Sequence, residues 1–232
     1  MRLLRERAGI VVRDWVHVGV RQVQTVWDRT PPARLLAVPR SCPHGRVPVL
    51  LLPGVYEPWR YLLPLGSFLR DAGHPVYAVH ELGWNIRTLE ESADVVEAVV
   101  AHHRIERCVV VAHSKGGLTG LLAMGRPGLS ERIAGVVAVA TPFSGSTRGV
   151  RIAALSHLRE FAPTASGIEA IRRMDRAQRR VSSLMPVWDE MIPEGSELAG
   201  ARNRRLAVSG HFLPLMDRRV WWTVHAEVHR WG

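Results

Sequence analysis

Residues 108–118, Cys108-Val109-Val110-Val111-Ala112-His113-Ser114-Lys115-Gly116-Gly117-Leu118, restrict the fold more than any other stretch of this chain. They run an apolar strand straight into a glycine pair, and Leu118, Leu121, Leu122 and Met124 continue at helical spacing. A continuous apolar run reads as a parallel strand buried on both faces, and the pattern after it reads as a helix. Turning from strand to helix within two residues places the turn residue, Ser114, at positive φ. Small residues must flank it, here Ala112 two positions before and Gly116 two after, because larger side chains would collide where strand and helix cross. Ser114 is thereby lifted clear of the sheet at a helix N-terminus, whose free N–H groups favour negative charge.

The remaining pattern supplies a sheet for this turn. Residues 47–52, 74–80, 133–140, 179–184 and 205–209 read as further strands. Helices are expected over residues 58–72, closed by Gly73, from the Thr88/Glu91 capping box to Val100, and over residues 217–231. Strands alternating with helices predict a mostly parallel α/β sheet with helices on both faces. Residues 147–176, interrupted by Pro163 and Gly167, have the composition of a small cap. Their apolar positions Ile152, Leu155, Leu158, Phe161, Ile168 and Ile171 are expected to face a pocket. Gly83-Trp84-Asn85 falls at the carboxyl edge of a strand, where ligands sit in open sheets, although Trp84 also reads as a loop-packing aromatic.

Ahead of the sheet, residues 3–27 form a helix with two apolar rows, one at Leu4, Ala8, Val11, Trp15 and Val18, the other at Val12, Val16, Val23 and Trp27. Arg5, Arg13, His17, Arg21 and Gln24 make its polar face. Packing on the domain or on a second subunit, as in a homodimer, is the default for such a helix; lying on a membrane surface as a peripheral anchor is the alternative. Because it precedes every candidate catalytic position, residues 1–30 are expected to be a separate segment dispensable for chemistry, with residues 31–232 forming one domain.

The turn Ala112-x-Ser114-x-Gly116 resembles the nucleophile elbow of the α/β-hydrolase superfamily, in its bacterial esterase and lipase-like branch, with alanine in place of the first glycine. Two further stretches carry the resemblance: Thr141-Pro142-Phe143-Ser144-Gly145-Ser146 is similar to a T-P-x-x-G-S turn of lipases and esterases, and Asp189-Glu190-Met191-Ile192-Pro193 to the D-x-x-[IV]-P pattern around their acid. The resemblance implies an α/β-hydrolase fold and a serine hydrolase of carboxylic esters. Ser114 would be the nucleophile, His211 the general base and Asp189 the acid that orients it. The backbone N–H groups of Val55, after Pro53-Gly54, and of Lys115 would form the oxyanion hole. Glu190 and Glu194 are the fallback acids. Neither cofactor nor metal is implied: His225 and His229 lie one helical turn apart but lack a third ligand at fitting spacing. The same three residues would serve an acyltransferase or a thioesterase, and a catalytically silent hydrolase fold that binds a partner is the alternative from another class.

Composition narrows the partners. The chain has 232 residues, enough for one domain, and a net charge of +10. All but one of its basic residues are arginine, Lys115 being the exception, and they are scattered without the aromatic-interleaved stripe of a nucleic-acid site. Nucleic-acid binding is therefore not expected; a small ester or lipid substrate is. Cys42 and Cys108 are read as free thiols. Arg13, Asp14 and His17 interrupt the first apolar stretch, so neither a signal-peptide core nor a spanning helix is read there, which makes a cytoplasmic enzyme the expectation.

Overall fold

A computed structural model describes residues 2–41, 45–148 and 156–232. Six strands form one parallel sheet: β1 (Val49–Leu52), β2 (Val76–Ala78), β3 (Cys108–His113), β4 (Ile133–Val139), β5 (Val181–Met185) and β6 (Arg202–Arg205), in the order β2-β1-β3-β4-β5-β6. After β2 the chain returns past β1 to place β3 on its other side. The sheet therefore reverses its direction of growth between β1 and β3, and a crevice opens there at the carboxyl ends of the strands. Leu52 pairs with Ala112 in that register, so the loops after Leu52 and after His113 emerge side by side.

Side chains alternate across the sheet and separate the core into two layers. Leu50, Leu52, Val110, Ala112, Val136 and Ala138 face one way and pack on α3 (Leu89–His102), α4 (Lys115–Met124) and α5 (Ser166–Arg172). Val49, Leu51, Val109, Val111, Val137 and Val139 face the other and pack on α2 (Leu63–Asp71) and on the C-terminal helix over Arg218–Trp231. Every residue of α4 is buried, which explains its glycines. A Cβ at Gly116 would lie 2.2 Å from the Leu52 carbonyl oxygen, and one at Gly120 would lie 2.9 Å from Val110 Cγ1. The Thr88/Glu91 capping box starts α3 as the sequence predicts.

Three elements depart from expectation. The helix over 58–72 begins as a 3-10 turn at Trp59–Leu62, because Pro64 fits only the first turn of the α-helix that follows. The 74–80 strand shortens to Val76–Ala78. The last strand lies at Arg202–Arg205 and not at 205–209. Its charged sequence hides it from an apolar search, yet an edge strand tolerates charge, and Glu227 pairs with Arg202 and Arg204.

The first helix, α1 (Arg2–Trp27), is rotated from the orientation its pattern predicts: Arg5, Arg13 and Gln24 of the polar face are exposed, but His17 is half-buried. Asp14 and Thr25 are buried and Arg21 is half-buried, while the row Val12, Val16 and Val23, with Val20, stands exposed. Both sheet faces are already filled by the other helices, so α1 docks through hydrogen bonds to loops: Arg21 to the Arg60 carbonyl and Gln22 to that of Tyr56.

Gly116→Ala should destabilise the fold by about 1–3 kcal/mol or more, because its methyl meets backbone that cannot rotate away. Gly9→Ala, which meets nothing within 4 Å on α1, should instead stabilise by about 0.5–1 kcal/mol. Urea denaturation midpoints of the two variants check both signs.

Candidate active site

Ser114 sits between β3 and α4 at φ 48° and ψ −121°, the strained turn that its neighbours predict. Tyr56 (φ 60°) and Asn85 (φ 51°), on adjacent loops, share the left-handed conformation. Such outliers persist only where surrounding bonds over-determine them. Thr141 donates to the Ser114 carbonyl at 3.0 Å, and buried Asn85 donates from Nδ2 to the Pro53 carbonyl at 2.8 Å.

His211 and Asp189 arrive from the loops after β6 and β5. His211 Nε2 lies 3.0 Å from Ser114 Oγ, and Nδ1 lies 2.8 Å from Asp189 Oδ2. Asp189 is itself fixed by the Met191 and Ile192 amides, which donate to Oδ1 at 2.8 and 3.1 Å. Burial of the His211 ring disfavours its charged form, but the charge and hydrogen bond of Asp189 outweigh this, so its pKa stands above the ordinary imidazole value. Burial likewise works against an ionised Asp189, and His211 together with the two amides holds its pKa below the usual carboxylate value. Ser114, Asp189 and His211 are thus brought together in one hydrogen-bonded row. Val55 lines the adjacent cavity, and Lys115 opens α4, where first-turn N–H groups have no intrahelical acceptor.

The loop carrying His211 has two supports that sequence reading misses. Asp14, from α1, accepts hydrogen bonds from three successive amides, those of His211 (3.1 Å), Phe212 (3.1 Å) and Leu213 (2.7 Å). Gly210 permits this approach at φ 104°, since a Cβ there would lie 2.5 Å from Asp14 Oδ1. On the other side, His113 bridges Glu57 Oε1 (2.7 Å) and the His211 carbonyl (3.0 Å), while Glu57 Oε2 accepts from the Gly54 amide at 2.8 Å. Glu57 therefore joins the Pro53-Gly54-Val55 turn to the histidine loop. An aspartate within the valine-rich stretch of a helix and a glutamate three residues after a glycine were the available signals. They name no partner. With Asp14 engaged in this way, α1 is bound to the loop that carries His211 and is not a separate segment.

The fallback acids lie elsewhere. Glu190 is buried, and burial together with the neighbouring Asp14 carboxylate pushes its pKa up to about 8. Glu194 accepts from the Thr147 amide at 2.9 Å and so anchors the start of the cap. The Lys115 ammonium is buried, not solvated: it donates to the Asn85 carbonyl at 3.2 Å and to that of Arg87, and pairs with Glu160 Oε1 at 2.9 Å, tying the elbow to the cap. His225 packs on His74, Phe68 and Trp222. Cys108 is buried, which pushes its thiol up to about 12; Cys42 lies outside the described residues.

A cavity of about 320 Å³ opens at Ser114 and His211. Its walls are mostly apolar: Trp15 and Val18 from α1, Val55, Pro142, Phe161, Met191, Ile192 and Phe212. Of the apolar cap positions predicted to face it, Phe161 does. Ile168 and Ile171 pack instead into the core, and Ile152 and Leu155 lie outside the described residues. Helix α1 supplies the wall that the cap was expected to provide. Trp84 lies exposed outside this wall.

No protein-family model and no curated protein sequence matches the chain. Solved structures do. A carboxylesterase from the thaumarchaeon Nitrososphaera gargenis is similar over 80% of this chain and 91% of its own, at 13% identity and a TM-score of 0.57. A monoacylglycerol lipase from Paleococcus ferrophilus is similar over 78% and 96%, at 17% identity and a TM-score of 0.54. A bacterial membrane phospholipase A is similar over 98% of both chains, at 12% identity and a TM-score of 0.57. The likeness establishes the α/β-hydrolase fold, in agreement with the parallel sheet and its switch between β1 and β3.

Asp14→Ala leaves three loop amides without their acceptor, at about 1–3 kcal/mol for each group that stays buried and unpaired. It should lower the urea midpoint and abolish labelling of Ser114 by a fluorophosphonate probe, whereas Asp14→Asn, which keeps one acceptor oxygen, should retain part of both. Labelling of Asp14→Ala at the wild-type rate would show that Asp14 does not position His211.

Proposed function

We propose that this protein is a serine hydrolase that cleaves carboxylic esters with an apolar acyl group. The observation that carries this reading is the continuous chain of hydrogen bonds from Ser114 Oγ through the His211 ring to Asp189, at 3.0 and 2.8 Å. A serine hydroxyl is a weak nucleophile at neutral pH unless a neighbouring base takes its proton. His211 Nε2 is placed for that transfer, and Asp189 on Nδ1 selects the tautomer that leaves Nε2 free to accept. Ser114 Oγ attacks the ester carbonyl, and the proton passes to His211. The developing oxyanion is held by the Val55 and Lys115 amides, His211 returns the proton to the leaving alcohol, and water repeats the sequence to release the acid. The structural neighbours named above support this chemistry, since a carboxylesterase, a monoacylglycerol lipase and a phospholipase A all cleave carboxylic esters.

Mutation of the proposed residues tests the assignment. A fluorophosphonate probe should label the native protein and not Ser114→Ala; an unlabelled native protein would favour the silent binding fold. Because the base must be neutral to accept a proton, kcat/KM should fall as pH drops through the His211 pKa, which Asp189 raises. Asp189→Asn should therefore move that acid limb to lower pH and reduce kcat by about 10⁴-fold through the wrong tautomer. Glu190→Gln and Glu194→Gln should leave kcat nearly unchanged. A loss on Glu190→Gln equal to that on Asp189→Asn would move the acid.

The cavity supports a preference within esters. Its volume lies at the small end of ligand sites, and the walls of Trp15, Val18, Phe161, Ile192 and Phe212 reward methylene groups at up to about 0.8 kcal/mol each until the space is filled. Across p-nitrophenyl esters from acetate to palmitate, kcat/KM should rise through short and medium chains and then level or fall. A flat profile, or a maximum at a dicarboxylic monoester, would contradict this use of the cavity.

A further inference from the structure

We propose that α1 is the membrane-docking surface of this protein, lying against an anionic phospholipid bilayer through its outward apolar stripe. The orientation of the helix carries the argument. Val12, Val16, Val20, Val23 and Trp27 are 62, 61, 49, 59 and 76% exposed. At 100° per residue they fall within an arc of about 80° and run for roughly 22 Å along the axis. A contiguous apolar strip of this length on a surface marks a contact face. It is not left over from core packing, since α1 already makes its intramolecular bonds from the opposite side through Asp14, Arg21 and Gln22.

Charge selects the occupant. Helix α1 carries five arginines against Glu6 and Asp14, and Asp14 is buried in the histidine loop. Arg5 and Arg13 stand exposed, Arg5 on the arc of the stripe and Arg13 at its border. The whole chain has a net charge of +10. A second copy would bring the same positive helix against this one, with like charges opposed along the seam. A bilayer containing anionic lipid presents the complementary charge to the arginines and an apolar layer to the valines and Trp27. No helix among the described residues is long and apolar enough to cross a membrane, so the contact is with the surface.

The stripe is also continuous with the cavity. Trp15, on its flank, is partly exposed and also lines the cavity, and Tyr56, another lining residue, is partly exposed, accepts from Gln22 of α1 and is bonded through its amide to the carbonyl of exposed Trp84. The inference stands apart from the proposed ester chemistry, because docking requires neither Ser114 nor His211.

Sedimentation of the full chain with phosphatidylcholine vesicles containing about one third phosphatidylglycerol tests the proposal. The protein should pellet with these vesicles, weakly with phosphatidylcholine alone, and less at high salt, where the charge term is screened. Val16→Ser/Val20→Ser should reduce binding by about tenfold or more, and Val23→Ser/Trp27→Ser should do so independently, both with unchanged thermal midpoints because the replaced side chains face solvent. Ser114→Ala should bind as the wild type does, so that loss of esterase activity and loss of docking are read separately. Binding that is absent, or equally strong in both stripe variants, overturns the proposal. So does a dimer in analytical ultracentrifugation that the stripe variants disperse, since a second copy would then be the occupant.

Discussion

The position of the His211 ring depends on four bonds that arrive from four parts of the chain. Asp189 takes Nδ1, Ser114 meets Nε2, Asp14 holds the backbone amide and His113 holds the backbone carbonyl. The segment they secure, residues 210–212, has no ladder of its own and would otherwise carry unpaired polar groups next to an apolar cavity. Fixing the ring from both its side chain and its backbone removes freedom of the ring at its 3.0 Å contact with Ser114 Oγ. The rest of the molecule follows from this requirement: a helix supplies the acid at position 14, the first loop supplies Glu57, and the sheet sets the spacing between them.

Several titratable side chains are buried around the site in pairs. Glu57 faces His113, Lys115 faces Glu160, and Asp189 faces His211. Isolated burial of any one of them would cost several kcal/mol, so each pair makes the approach of its two loops conditional on the other. Lys115 illustrates the logic. Its backbone opens α4 directly after Ser114, while its ammonium, drawn inward by two carbonyls and Glu160, fixes the cap relative to that turn. One residue thereby links the turn at Ser114 to the cap.

Helix α1 divides its apolar surface between two uses. Asp14, Arg21 and Gln22 meet amide and carbonyl groups of the loops it covers, and Trp15 and Val18 line the cavity, while the row Val12, Val16, Val20 and Val23 is left for a contact outside the chain. Asp14 and Trp15, adjacent in sequence, serve the histidine loop and the cavity wall respectively. A change of surroundings at the outer face of this helix is therefore one helical diameter from the site.

Local sequence determined the elbow, the parallel sheet and the three residues that meet at its edge, because each rests on short-range rules: continuous apolar strands, a glycine where a Cβ would strike the Leu52 carbonyl, and loops that follow strands in order. It also placed Val55 beside the cavity. The partners of Asp14, Glu57 and the Lys115 ammonium were decided only by tertiary structure, since a carboxylate or an ammonium accepts many partners and its sequence position carries no distance to any of them. The same holds for the orientation of α1. Two apolar rows and one polar face allow either side to turn inward, and the choice fell to the unpaired amides at residues 211–213, nearly two hundred residues away, whose need for an acceptor no local pattern records.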